Sequence, residues 1–126
     1  NLPAVVLEAL SRQPADFASL MQSTRDGLSE AIDRTVQAAN EHERYEADLA
    51  PSPFQSVLMR NCIERGVDIY CGGARYNHSA CWIAGLGTAV DSLIAVKHLV
   101  YRDRKLTLTE LLEALRVDFS GNEGLR

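Results

Sequence analysis

The sequence predicts a mainly α fold: a helical piece of about five helices, one of them long, with a short extended glycine-rich segment. Three observations carry this expectation. Apolar residues hold a single helical phase from Asp16 to about Ala47. Thr107 and Glu110 stand in capping-box spacing ahead of a leucine repeat. Three of the eight glycines gather between Tyr70 and Gly85, a stretch with no helical phase. With 126 residues, 46% of them hydrophobic, the chain is expected to form one domain, residues 1–126, around one core.

Taken in order, "NLPAVVLEALSR" predicts a short helix to about Ser11, with Pro3 in the first turn, where its missing N–H costs nothing. The long helix follows, with Asp16 as its cap and Phe17, Leu20, Met21, Thr24, Leu28, Ile32, Val36 and Ala39 on one face. Gly27 lies inside it, but the stripe keeps its phase, so continuity is expected rather than a bend. The charged tail "NEHERYEADL" is expected in solvent. "APSPF" ends the helix, because a residue before proline is pushed out of the α region. A third helix is expected from about Pro53 to Arg65, with Phe54, Val57, Leu58, Cys62 and Ile63 as its apolar set and Gly66 as its left-handed stop. Beyond the glycine-rich loop, Thr88 to Tyr101 is apolar on nearly all sides, which predicts a helix buried among other elements. "TLTELLEALRVDF" closes the series with Leu108, Leu111, Leu112, Leu115 and Phe119 on one face.

Composition excludes several functions. Charge is scattered in both signs, 17 acidic against 13 basic residues, and no basic stripe is present to neutralise phosphates, so no nucleic-acid partner is expected. No run approaches the roughly 18 apolar residues that span a bilayer, so no membrane partner is expected either. Cys62, Cys71 and Cys81 fit neither a zinc CxxC pattern nor a disulfide framework, and free thiols fit a reducing, cytoplasmic compartment. The chain opens on an apolar helical pattern without a methionine, which suggests a piece of something longer.

The stretch "YCGGARYNHSACWIAG" concentrates the candidate chemistry. Gly72 and Gly73 predict a tight turn or a close backbone approach. They do not form a phosphate cradle, since neither GxGxxG nor GxxxxGK[ST] is present. Arg75, Tyr76 and Asn77 follow the turn, where a pocket wall or an interdomain hydrogen-bond network can be built, and the residues leave both open. Cys71 and His78 are a conceivable thiolate and base, but no third orienting group is identifiable, and packing is the favoured reading for Cys62, Cys71 and Cys81. His42 is expected in solvent and His98 as a satisfied core histidine. Asp91 is read as a first-turn carboxylate favoured by the helix dipole. No convergent set of metal ligands is expected.

The motif order "SPFQSVLMRNCIERGVDIYCGGARYN", "GLGTAVDSLIAVKHLV" and "LTLTELLEALRVDF" resembles the glycyl radical enzymes of the pyruvate formate-lyase-like group. The matching residues are Pro53, Ser56, Ile63, Glu64, Gly66, Asp68, Gly72, Gly73, Ala74, Tyr76, Asn77, Gly85, Asp91, Ser92, Leu93, Ala95 and Lys97. The resemblance implies that the helices derive from a ten-strand α/β barrel. It also implies a larger cytoplasmic parent enzyme, a C–C lyase of the formate acetyltransferase kind or a C–O, C–N or C–S lyase or dehydratase acting on a small molecule. Such a parent carries a backbone glycyl radical, installed by a separate radical S-adenosylmethionine activase, which is passed to a cysteine. The family's R-V-x-G-[YF] segment does not occur here: "LRVDFSGNEGLR" puts Phe119 before Gly121 in the wrong frame. The thiyl cysteine of the family lies in a G-C-x-E loop, and Cys62 in "RNCIERG" does not match it. The chain thus reads as an internal fragment with no catalytic residue and no cofactor of its own, expected to be inactive in isolation. Tyr76 and Asn77 are its substrate-pocket or barrel-wall candidates, Gly72 and Gly73 its structural turn, and the rest of the parent chain its first partner. A homodimer is the other assembly considered. The competing readings are a self-standing helical interaction module and, more weakly, a small thiol enzyme built on Cys71 and His78.

Overall fold

In the computed structural model, which describes residues 1–125, every regular element is helical and no strand occurs among the described residues. Six α-helices follow in order: α1 (Leu2–Ser11), α2 (Phe17–Leu49), α3 (Pro53–Leu58), α4 (Cys62–Arg65), α5 (Leu86–Val96) and α6 (Leu108–Arg116). The backbone divides into two compact units, Asn1–Glu30 with the described part of Ile83–Arg126, and Ala31–Trp82.

The first unit holds the core, in which Val6, Ala9 and Leu10 of α1, Leu20 of α2, and Ala89 and Val96 of α5 pack together. Helix α2 starts where its cap predicts, with Asp16 Oδ1 accepting the Ser19 N–H at 2.7 Å. It runs through Gly27 without a break, and a Cβ at Gly27 would stand 3.1 Å from Val5 Cγ1, so the missing side chain lets α1 and α2 approach closely. The entry to α5 is fixed in a similar way. Leu2 N–H donates to Ala84 O at 3.0 Å, and Gly85 takes a left-handed φ of 80° with Pro3 Cδ only 2.5 Å from where a Cβ would be.

Two expectations for this unit need correction. The helix expected over Thr88–Tyr101 begins at Leu86 and widens to π-helical turns over Lys97–Arg102. Those turns bring the Tyr101 hydroxyl to Pro14 O at 2.9 Å and its ring edge-on to Phe17. It is not buried on all sides: Ala89 and Val96 are covered while Val90 and Ile94 face solvent, because α1 packs on one side only. Helix α6 has the predicted capping box in full, Thr107 and Glu110 each bonding the other's backbone. It stops at Arg116 rather than Phe119, where Asp118 and Phe119 take positive φ values of 49° and 59°.

In the second unit, the single helix expected over Pro53–Arg65 is broken. Met59 is extended and Asn61 is left-handed at φ 73°, a conformation asparagine tolerates better than most residues, so α3 and α4 are separate short helices. Gly66 caps α4 in the left-handed region as expected. Of the apolar set assigned to this helix only Cys62 is buried; Phe54, Val57, Leu58 and Ile63 are exposed.

Candidate functional site

Asp68 organises the turn that carries the candidate residues. Its Oδ2 accepts the Ser52 N–H at 2.9 Å and lies 2.8 Å from Ser56 Oγ, while Oδ1 accepts the Tyr70 N–H at 3.0 Å. The Ser56 hydroxyl also lies 2.8 Å from Ser52 O and accepts the Ile69 N–H at 2.9 Å. One carboxylate therefore ties the start of α3 to the short 3₁₀ turn Ile69–Cys71. Partial burial pushes the Asp68 carboxyl up, but the bonds from Tyr70 N–H, Ser56 and Ser52 N–H outweigh it and hold the group below the ordinary aspartate value of 3.8.

The backbone of Asp68 continues the brace, its carbonyl accepting Cys71 N–H at 3.0 Å and Gly73 N–H at 2.9 Å. Arg65 closes it from α4, its Nη1 donating to Gly72 O at 2.9 Å and Gly73 O at 3.4 Å. Gly73 is buried inside this clasp, and a Cβ there would fall 2.0 Å from Val67 O and 2.8 Å from Asp68 O. The obstruction is backbone, which cannot swing away. Gly72 caps the 3₁₀ turn at φ 76°, and a Cβ on it would stand 3.9 Å from Asn77 Nδ2, so the Asn77 amide folds back over the turn.

Past Gly73 the chain is open: Tyr76 is 78% exposed, with the Arg75 guanidinium 5.5 Å from its ring centroid, and Asn77 is exposed beside it. Ser79 donates to the Glu43 carboxylate of α2. Trp82 is 93% exposed. A shallow cleft of about 370 Å³ adjoins the brace on the α3–α4 side, with Ser56, Cys62 and Asp68 among its lining residues.

The structure places the other candidates as follows. Cys62 is buried, as packing predicts, but Cys71, Cys81 and His78 are exposed, so the described residues do not pack over them. No hydrogen bond joins Cys71 to His78 among the described residues; the Cys71 thiol points instead to Ala47 O at 3.8 Å. His42 stands in solvent, 3.5 Å from Glu46 one turn on, and His98 is half-buried rather than core. Asp91 lies in the second turn of α5, because the helix starts at Leu86, so the first-turn dipole reading does not apply. Among the described residues no three His, Cys, Asp or Glu side chains converge on a metal position. No helix there is long and apolar enough to cross a membrane. Gly121 and Gly124 are surface positions with nothing within 4 Å of a Cβ.

Sequence reasoning matched Ser56 and Asp68 to a motif without giving them a role, and missed Arg65 altogether. The available signal was the aspartate two residues after Gly66, a side chain that commonly accepts a backbone N–H two positions on.

Comparison with known proteins follows the same residues. The family model described as "Pyruvate formate lyase-like" matches residues 4–126. Trans-4-hydroxy-L-proline dehydratase of Clostridioides difficile is 35% identical over 115 residues, 89% of this chain and 15% of that protein. (2S)-3-sulfopropanediol dehydratase of Klebsiella oxytoca is 32% identical over 109 residues, 86% of this chain and 13% of that protein. The glycerol-bound B12-independent glycerol dehydratase of Clostridium butyricum superposes with a TM-score of 0.86 at 28% identity, covering 98% of this chain and 18% of that one. The chain thus spans about 15% of the length of the first of these relatives.

Proposed function

The chain belongs to the pyruvate formate lyase-like family, and from that premise we propose that it is an internal segment of a glycyl radical dehydratase or lyase acting on a small hydroxylated molecule. One observation carries the reading: nearly the whole chain superposes on a glycerol-bound dehydratase, with sequence identity high enough to support more than shared fold. All three relatives described above are dehydratases whose named substrates bear a hydroxyl group, which favours water elimination over formate acetyltransfer. Residues 1–126 then form part of one pyruvate formate-lyase-like domain.

Within that reading the segment is scaffold. The Asp68 brace holds the Gly72–Gly73 turn, and the turn presents Tyr76 and Asn77 as pocket-wall residues. The radical glycine and the thiyl cysteine belong to the rest of the parent chain, since the R-V-x-G-[YF] and G-C-x-E patterns are absent here. The parent's partners are a radical S-adenosylmethionine activase, its substrate and, in a homodimer, a second copy; its place is the anaerobic cytoplasm.

The test is to express the full-length protein anaerobically with its activase. A glycyl radical signal by electron paramagnetic resonance and loss of water from glycerol, trans-4-hydroxy-L-proline or (2S)-3-sulfopropanediol are expected. Absence of both would sink the reading. Residues 1–126 alone are expected to show neither, and turnover by that piece would revive an independent catalytic function.

A further inference from the structure

Tyr76 and Asn77 are surface residues on a loop without regular structure, yet the segment immediately before them is braced by Ser56 of α3, Arg65 of α4 and Asp68. Asp68 accepts three hydrogen bonds on its carboxylate and two on its carbonyl, Arg65 ties down both glycine carbonyls, and Gly73 has no room for a side chain. A turn that only closed the chain after α4 would not need this many constraints. A loop that must hold side chains at fixed positions against a ligand does, because ordering a mobile loop on binding costs affinity.

We propose that Asp68 is a positioning residue, acting through Ser56 and the Gly72–Gly73 turn to set where Arg75, Tyr76 and Asn77 meet the substrate. The proposal rests on the reading above that this loop faces a small hydroxylated substrate. Asp68 itself lies seven residues before Arg75, and its carboxylate is engaged by Ser52, Ser56 and Tyr70. Its effect therefore reaches the substrate as placement rather than as proton transfer. Replacing it with asparagine keeps the shape but turns one acceptor oxygen into an N–H₂ donor facing donors on both sides, so at least one of the three bonds is lost.

The test uses the full-length activated protein with glycerol, trans-4-hydroxy-L-proline and (2S)-3-sulfopropanediol as probes. It compares wild type with Asp68→Asn, Ser56→Ala and Ser56→Thr. In Asp68→Asn, KM for the accepted probe is expected to rise by about tenfold, the size of one lost charge-assisted bond. The glycyl radical content should stay at the wild-type level and kcat should change by less than about threefold. Ser56→Ala should move KM in the same direction, and Ser56→Thr, which keeps the hydroxyl, should restore it. If Asp68→Asn does not fold, the serine pair decides alone. KM within about twofold of wild type in every folded variant overturns the proposal. So does a parallel fall in folded yield, radical content and kcat at unchanged KM, which is the pattern of a merely structural residue. A wild type that carries no radical and turns over no probe removes the functional reading, and the positioning role with it; an active wild type with unmoved variants removes the positioning role only.

Discussion

Leu20 is fully buried among α1 and α5, and at residue scale it marks the firmest point of the first unit. Leu20→Ala should destabilise by about 2 to 5 kcal/mol, the range for emptying a core leucine position; a urea midpoint within error of wild type would show that α2 does not pack there. Gly73 is the matching position in the second unit. Gly73→Ala puts a methyl 2.0 Å from Val67 O, so the Val67–Asp68 backbone must move, and the expected result is loss of the bonds from Cys71 N–H and Gly73 N–H to Asp68 O. Faster amide exchange at Cys71 and Gly73 would report it; unchanged protection would show that the turn has slack. Some of this was legible in the sequence. The Gly72–Gly73 pair announced a close approach, and Asp16 announced a cap, because each depends on neighbours a few positions away. The exposure of Cys71, Cys81 and Trp82 was not legible, since an apolar or thiol side chain looks the same in sequence whether its cover lies in this segment or outside it.

At the scale of elements, α6 shows why caps are readable and α3–α4 why breaks are not. The Thr107 side chain accepts the Glu110 N–H while the Glu110 carboxylate accepts the Thr107 N–H at 2.7 Å, and both partners lie within four residues. Thr107→Ala should cost about 1 kcal/mol, read as a lower urea midpoint; an unchanged midpoint would mean that packing alone holds α6. The same box has a pH signature. The bonds from Thr107 N–H and the Thr107 hydroxyl hold Glu110 below its ordinary value of 4.5. A carboxyl whose value is lowered by folding stabilises above its unfolded value and loses that contribution as pH falls through its folded value. The stability gap between wild type and Glu110→Gln should therefore be full above about pH 5 and close as the solution is acidified below 4.5. A gap that persists at the acid end would mean that the carboxylate charge is not what stabilises the box. The break at Asn61 was missed for a different reason. The apolar spacing of Val57, Leu58, Cys62 and Ile63 suits one continuous helix, and nothing in it marks the extended Met59, the left-handed Asn61 or the anchoring of α3 to Asp68, twelve residues downstream of Ser56. Periodicity cannot register a constraint at that distance.

On the scale of the whole molecule, the two units differ in how much they cover. The first unit buries a contiguous core, whereas in the second Cys62 and Gly73 are buried while Phe54, Tyr76 and Trp82 stand in water. A large aromatic side chain left 93% exposed is unusual, and the reading of this chain as a segment of a longer enzyme, proposed above, expects its cover to come from protein outside residues 1–126. Trp82, the only tryptophan, makes that measurable. In residues 1–126 alone its fluorescence should match that of free indole in water and be quenched fully by acrylamide. In the full-length protein, the difference spectrum between wild type and Trp82→Phe should be blue-shifted and shielded from acrylamide. Equal quenching in both settings would show that the loop after the glycine turn stays at a surface in the whole protein. Tyr76 and Asn77 would then have no barrel to face, and Asp68 would hold a turn that presents them to nothing but solvent.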